Sequence, residues 1–371
     1  MIIAVHIALQ HPHQQTGTDF IYNCFSLMAA SNPDQHFIFI FDKPFDIVNI
    51  KSVNITPVLA GPAIKNRLLQ HYFYNYKLPR LLNKYQADIF VSKDVCSLRS
   101  TIPQYLIIND LSFLQKQHMY NSSDVRYLKR YSRQFVKKSD KIAVMNDHLK
   151  ELLQVAYSLP AKKISVINNA IIEKTKILTE EGIAKVKEKL TDGKSYFLFF
   201  ATSITISNVI IILKAFSIFK KWQKSNMQLV ILFSAAEKDY VIKDLNNYKH
   251  REDVRLIHAT DEQQQSEITS AAYAAINLAS MEITETDGLK TIASNVPLIT
   301  TDTVFFRSTY ADAASYCQPT DKDVAEKMML LYKDENYRSS LINNGQLLSE
   351  KYSLPNTSNR LWQTIQWDTV A

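Results

Sequence analysis

Chemistry-bearing residues cluster in the stretch SMEITETDGLKTIASNVPLIT, residues 280–300. It reads as a strand end, a turn, a helix and a second strand. Glu282, Glu285 and Asp287 precede Lys290. Carboxylates accept hydrogen bonds from hydroxyl groups, and an ammonium group donates to phosphate. The local charge balance is nonetheless negative and repels a diphosphate. Lys290 therefore has two readings: a cation that reaches a phosphate, or a partner for Glu282 that fills a pocket.

A second candidate is YLIINDLSFL, residues 105–114, where a strand ends at Asn109 and Asp110. Polar side chains at a sheet's carboxyl edge are well placed for chemistry, and an Asp there is equally a turn or cap device. A third is HPHQQTGTDFIYNCF, in which Gly17 precedes a helix that Thr18 or Asp19 would cap. A glycine turn at a helix start can cradle an anion. With one glycine, a plain capped helix explains the same residues more simply. His11 and His13 form a pair with no nearby carboxylate, so no metal site is expected.

The segment RYLKRYSRQFVKKSDK, residues 126–141, places Arg126, Arg130, Arg133 and Lys137 along one helical side. Tyr127, Tyr131 and Phe135 follow on a neighbouring side. This helix would either lie on an anionic membrane with its aromatics at the interface, or pack its aromatic face on a sheet.

The elements that must position these residues follow from the rest of the chain. Its 371 residues suffice for two domains with separate cores. The composition, 46% hydrophobic and 21% charged, is that of a globular protein. The net charge of +7 admits a nucleic acid, an anionic membrane or an anionic substrate. No recognition motif accompanies the basic helix, so nucleic acid is not expected. Cys24, Cys96 and Cys317 are dispersed and odd in number, which disfavours disulfides and zinc and suggests a reducing cytoplasm. The uncharged run 196–213 has the length of a membrane span. Thr202, Ser203, Thr205, Ser207 and Asn208 interrupt it, and a buried strand, a polar loop and a helix fit it better.

Short apolar runs alternate with helical patterns throughout. Expected strands are 2–8, 37–41, 88–92, 105–109, 141–145 and 164–167, then 196–201, 229–233, 254–258, 274–278, 297–300 and 314–318. Helices are expected between most of them, among others over 64–84, 123–138, 147–157, 208–223 and 322–334. Such alternation predicts parallel sheets. The charged segment 171–195 marks the boundary between two series.

Several pieces together resemble the family-4 retaining glycosyltransferases of the GT-B fold. They include NDLSFL at 109–114, KIAVMNDHLKELL at 141–153, FLFFATSITISNVIIILKAF at 197–216 and ASNVPLITTD at 293–302. The resemblance implies an α/β fold of two Rossmann-like domains facing a central cleft. It implies an acceptor-side domain over 1–172, a donor-side domain over 173–355, and a C-terminal helix at about 356–371 packing back on the first, with Trp362 and Trp367 as anchors. It further implies a nucleotide-sugar donor, no metal, and a glycan or lipid-linked acceptor.

Carried over by position, the family's first Glu matches Glu282 and its second matches Lys290. Its phosphate-binding Arg and Lys match Ile206 and Ser207, and its His-Asp pair matches Asn109 and Asp110. Its two motif glycines match Ile283 and Glu285. On the enzyme reading, Asn109, Asp110 and Glu282 serve the reacting centre, and Lys290, Thr202, Ser207 and Gly17 bind the donor. On the other reading the chain is an inactive homologue that binds an active glycosyltransferase or a glycan. Either would place it in the cytoplasm, with the basic helix 126–141 as the route to the inner membrane face.

Overall fold

The structure is a computed structural model. It describes residues 1–8, 20–44, 52–61, 63–114, 122–171, 177–202, 205–233, 242, 245–279 and 286–366. Gly17, His11, His13, Glu282 and Trp367 lie outside the described residues.

The chain forms two compact units, Met1–Glu173 with Lys351–Ala371, and Lys174–Glu350. The first contains β1 (Ile2–Ile7), α1 (Phe20–Ser31), β2 (His36–Phe41), β3 (Ile55–Leu59) and α2 (Arg67–Tyr72). A π-helical turn, Phe73–Lys77, continues α2 into α3 (Leu78–Lys84). Then follow β4 (Ile89–Lys93), β5 (Gln104–Ile108), α4 (Ser122–Lys138), β6 (Lys141–Val144), α5 (Asp147–Tyr157) and β7 (Ile164–Val166). The second unit contains α6 (Glu180–Thr191), β8 (Tyr196–Ala201), α7 (Val209–Gln223), β9 (Gln228–Phe233), β10 (Val254–His258), α8 (Glu262–Ser270) and β11 (Ala274–Asn277). It continues with α9 (Thr286–Ala293), β12 (Leu298–Thr301), α10 (Val304–Tyr310), β13 (Ala314–Cys317), α11 (Asp321–Lys333) and α12 (Glu335–Lys351). Helix α13 (Leu354–Gln366) returns to the first unit.

The first sheet has the order β3-β2-β1-β4-β5-β6-β7 and the second β10-β9-β8-β11-β12-β13. Every strand pair is parallel. Parallel strands buried on both faces read as continuous apolar runs, as β1 (IIAVHI) and β8 (YFLFFA) do. Phe197 and Phe199 of β8 pack into one core layer with Phe216 and Phe219, whereas Tyr196, Leu198 and Phe200 pack into the layer on the other face. The uncharged run 196–213 is therefore a strand, a polar turn and the start of α7. Among the described residues no helix is long and apolar enough to cross a membrane.

One strand escaped the sequence pattern. β3 (ITPVL) is an edge strand whose Pro57 pairs in register with Phe39. Proline breaks the strand signature but is tolerated where one side of the ladder is unpaired.

Helix α13 packs on α1. The Ser358 hydroxyl donates to the Cys24 carbonyl at 2.9 Å, and Thr357 donates to the Asn169 carbonyl at 3.1 Å. The Trp362 ring lies 6.5 Å from that of Phe37, and Leu361 and Ile365 are buried. These contacts make α13 part of the first unit's core. Ile365→Ala is expected to destabilise that unit by about 2–5 kcal/mol through lost apolar burial and the cavity left behind. Urea unfolding monitored at the first unit's tryptophans, Trp362 and Trp367, checks this; an unchanged midpoint would show that α13 is peripheral.

Candidate functional site

Open parallel sheets bind ligands beyond the carboxyl ends of their strands. Both sheets concentrate polar side chains at that edge.

In the second unit β8 ends at Ala201 and leads into a short turn before α7. The Thr202 amide donates to the Thr205 hydroxyl at 2.9 Å, and the Thr205 hydroxyl donates to the Phe200 carbonyl. The amides of Thr205 and Ile206 both donate to the Thr202 carbonyl, at 3.0 and 2.8 Å, and the Asn208 amide donates to the Thr205 carbonyl at 2.8 Å. Asn208 also ties the turn to the neighbouring strand, its side-chain amide donating to the Leu278 carbonyl at 2.7 Å. These four backbone amides are thus spent inside the protein rather than aimed at an anion. Thr205 is fully buried, Ile206 packs against the core, and Ser207 is exposed.

β11 neighbours β8, and α9 follows it. Lys290 is half-buried in the second turn of α9, and its carbonyl accepts from the Ser294 hydroxyl at 2.8 Å. The fold therefore assigns Thr202, Ser207 and Lys290 to the β8–α7 and β11–α9 connections of one unit, whereas Asn109 and Asp110 belong to the other. At the end of β12, the buried hydroxyls of Thr300 and Thr301 have no partner among the described residues. Sequence reading passed over them because two threonines closing a strand carry no motif.

In the first unit the polar edge is richer than the sequence suggested. Asp94 follows β4 in a left-handed backbone conformation, φ 60°. Such a conformation in a residue other than glycine stores strain and is concentrated at functional sites. Its carboxylate accepts from the backbone amide of Asn109, and the charge of Asp110 acts on it. Burial pushes the Asp94 carboxyl up to about 6, more than neighbouring cations offset. His6, the penultimate residue of β1, is buried, with Nδ1 2.8 Å from the Tyr74 hydroxyl. Its Nε2 has no partner among the described residues, and burial lowers its pKa to about 4. Tyr74 belongs to the π-helical turn, and π-turns are frequent at functional sites. Burial raises its pKa well above the usual phenol value. The only sequence sign of these residues is a histidine within an otherwise apolar strand and an Asp just beyond another.

Cys24, Cys96 and Cys317 are buried and form no disulfide. Burial pushes the Cys96 and Cys317 thiols up to about 12, so neither is a nucleophile at neutral pH. Among the described residues no group of three or more His, Cys, Asp or Glu side chains is placed to hold a metal.

Residues 182–348 match the family model for glycosyl transferases group 1. The match spans nearly all of the second unit. The chain is 23% identical over 293 residues to the O-antigen chain mannosyltransferase RfbU of Salmonella typhimurium, covering 75% of each chain. In structure it resembles WaaG, a glycosyltransferase involved in lipopolysaccharide biosynthesis, with a TM-score of 0.72, 14% identity and coverage of 98% of this chain and 100% of that one. It also resembles Anabaena HepE in complex with UDP-glucose, with a TM-score of 0.69, 11% identity and 99% coverage of both chains. The fold is GT-B. Within the matched region, the β8–α7 turn is where the resemblance in sequence placed two cations, and Ile206 and Ser207 occupy those positions.

Proposed function

We propose that the chain transfers a sugar, with retention at the anomeric carbon, from a nucleotide sugar to a cell-surface glycan or lipid-linked acceptor. The group 1 match over 182–348 carries this reading. The mannosyltransferase name of one relative and the UDP-glucose bound to HepE support it. In this reading Glu282 positions the donor sugar, and Asn109 and Asp110 line the reacting centre. Lys290 meets the diphosphate, and Thr202, Ser207 and Gly17 contact the donor. Charge develops on the leaving diphosphate as the glycosidic bond breaks, so a cation fixed there lowers the barrier. No metal is assigned a role. The reaction belongs on the cytoplasmic side, where nucleotide sugars are used.

A second reading has one specific observation in its favour. The described residues of the β8–α7 turn carry no cation, and four of their amides are already bonded within the protein. Losing one preorganised donor costs roughly 10²–10³ in rate. A chain that kept the scaffold without this chemistry would bind a glycan or an active glycosyltransferase instead.

Calorimetry with UDP, GDP and their common sugar conjugates separates the two. The enzyme reading expects micromolar binding that weakens by at least about tenfold in Lys290→Ala, the loss of one charge-assisted contact. Absence of binding at millimolar ligand would favour the inactive homologue.

A further inference from the structure

The first unit has a second concave site, which begins at the amino edge of its sheet, away from Asp94 and Asn109. A cavity of about 1300 Å³ is walled by Ala161, Ile164 and Val166 and by the cations Lys141, Lys162 and Arg360. Lys141 opens β6, and Ala161 and Lys162 form the 3-10 turn that leads into β7, the last strand of the sheet. The opposite wall is α13, on the side that carries Arg360 and Gln363. All of these residues belong to the first unit.

Among the described residues no Asp or Glu lines this cavity. Nor is Lys162 or Arg360 in an ion pair among them. Asp140, next to Lys141 in sequence, accepts from the Gln104 amide at 2.8 Å. Lys163, next to Lys162, is engaged elsewhere: its ammonium donates to the Lys137 carbonyl at 3.0 Å. Three cations from three separate elements thus face one cavity with no carboxylate lining it. Like charges gathered in this way repel one another until a counter-ion joins them.

Size and chemistry restrict that counter-ion. Pockets for organic ligands span about 300–1,000 Å³, so this cavity is far larger than a bare inorganic ion needs. A peptide added to the sheet edge fits poorly. β7 has only three residues, and the Ile164 amide already donates to the Ala161 carbonyl. An uncharged glycan would call for carboxylates to accept from its hydroxyls. A phosphate monoester carries a charge of about −1.5 to −2 at neutral pH on three acceptor oxygens, which suits lysine and arginine together. The Gln363 amide both donates and accepts, so it can meet a hydroxyl or a ring nitrogen. We propose that the cavity binds a soluble phosphorylated small molecule. Its phosphate meets Lys162, Arg360 and Lys141, and its uncharged body lies against Ala161, Ile164 and Val166. This site is separate from the residues assigned to sugar transfer and does not depend on that proposal.

The test is calorimetry of the full chain with glucose 6-phosphate and AMP, against glucose and adenosine. Submillimolar binding of a phosphorylated probe is expected, and none of the uncharged ones. Lys162→Ala with Arg360→Ala should weaken it by about 100-fold, from roughly tenfold per charge-assisted contact. Both side chains are exposed, so circular dichroism should stay unchanged. Ala161→Trp keeps every cation but fills the cavity, and should abolish binding. No binding of either phosphorylated probe at millimolar ligand would overturn the proposal. Binding that survives the double variant would overturn it too, by placing the probe at another site. Loss in the double variant with full retention in Ala161→Trp would reduce the site to surface charge. Binding to phosphatidic acid vesicles with none to the soluble probes would assign the phosphate to a lipid and equally overturn it.

Discussion

Gly288→Ala is expected to destabilise the second unit by about 1–3 kcal/mol despite the helix-forming advantage of alanine. A Cβ at position 288 would collide with the Tyr310 hydroxyl oxygen and lie 2.8 Å from its Cζ and 3.2 Å from a methyl of Leu298. The ring cannot swing aside: Tyr310 is buried and stacks on Phe306 at 5.7 Å with an interplanar angle of 8°. Either α9 moves off β12 and α10, or the ring leaves its rotamer. Gly288→Val should cost more, because two further methyl groups enter the same space. Urea unfolding measures both, and the alanine cost should shrink in a Tyr310→Leu background, where the obstructing ring is gone. Equal costs in both backgrounds would place the effect elsewhere.

This changes the meaning of the motif at 280–290. The glycines that the resemblance sets beside the donor match Ile283 and Glu285, and the remaining glycine has a packing task. Gly288 lets α9 approach α10, and so fixes the height of Lys290, two residues later, above the sheet edge. On the proposed function, a substitution at Gly288 would also weaken nucleotide binding, through position alone.

The two parallel sheets were legible because strands buried on both faces must be apolar throughout, and the helices between them must be amphipathic. β3 was not, since Pro57 interrupts the pattern and only pairing with β2 makes it a strand. The aromatic row on α4 was visible, but spacing alone cannot say which side of a helix faces the sheet; Tyr127 and Phe135 are buried. The polar sites divide in the same way. Thr202, Ser207 and Lys290 were singled out by their place in a motif. Asp94 and His6 belong to no motif, and their chemistry comes from burial, which the fold alone creates.

That burial gives the first unit two opposing pH dependences. His6 has its pKa lowered from 6.5 to about 4. Below pH 6.5 the unfolded chain binds a proton that the folded chain refuses, so this contribution to stability is lost as pH falls from 6.5 towards 4. Asp94 has its carboxyl raised from 3.8 to about 6. Between those values the folded chain holds a proton that the unfolded chain has released, so its contribution is lost as pH rises through 6. At 1.36 kcal/mol per unit, the His6 effect amounts to about 3 kcal/mol. The Asp94 effect is about 2 kcal/mol, discounted because the residue is part-exposed although its Oδ1 is buried. Over pH 4–6 the two slopes have opposite sign and largely cancel. Single variants should separate them. The stability of Asp94→Asn relative to the unsubstituted protein should rise with pH across that window, and that of His6→Gln should fall. Using the difference between proteins removes every other titrating group from the comparison. Two flat difference curves would mean that neither side chain is shielded enough from water to shift its titration.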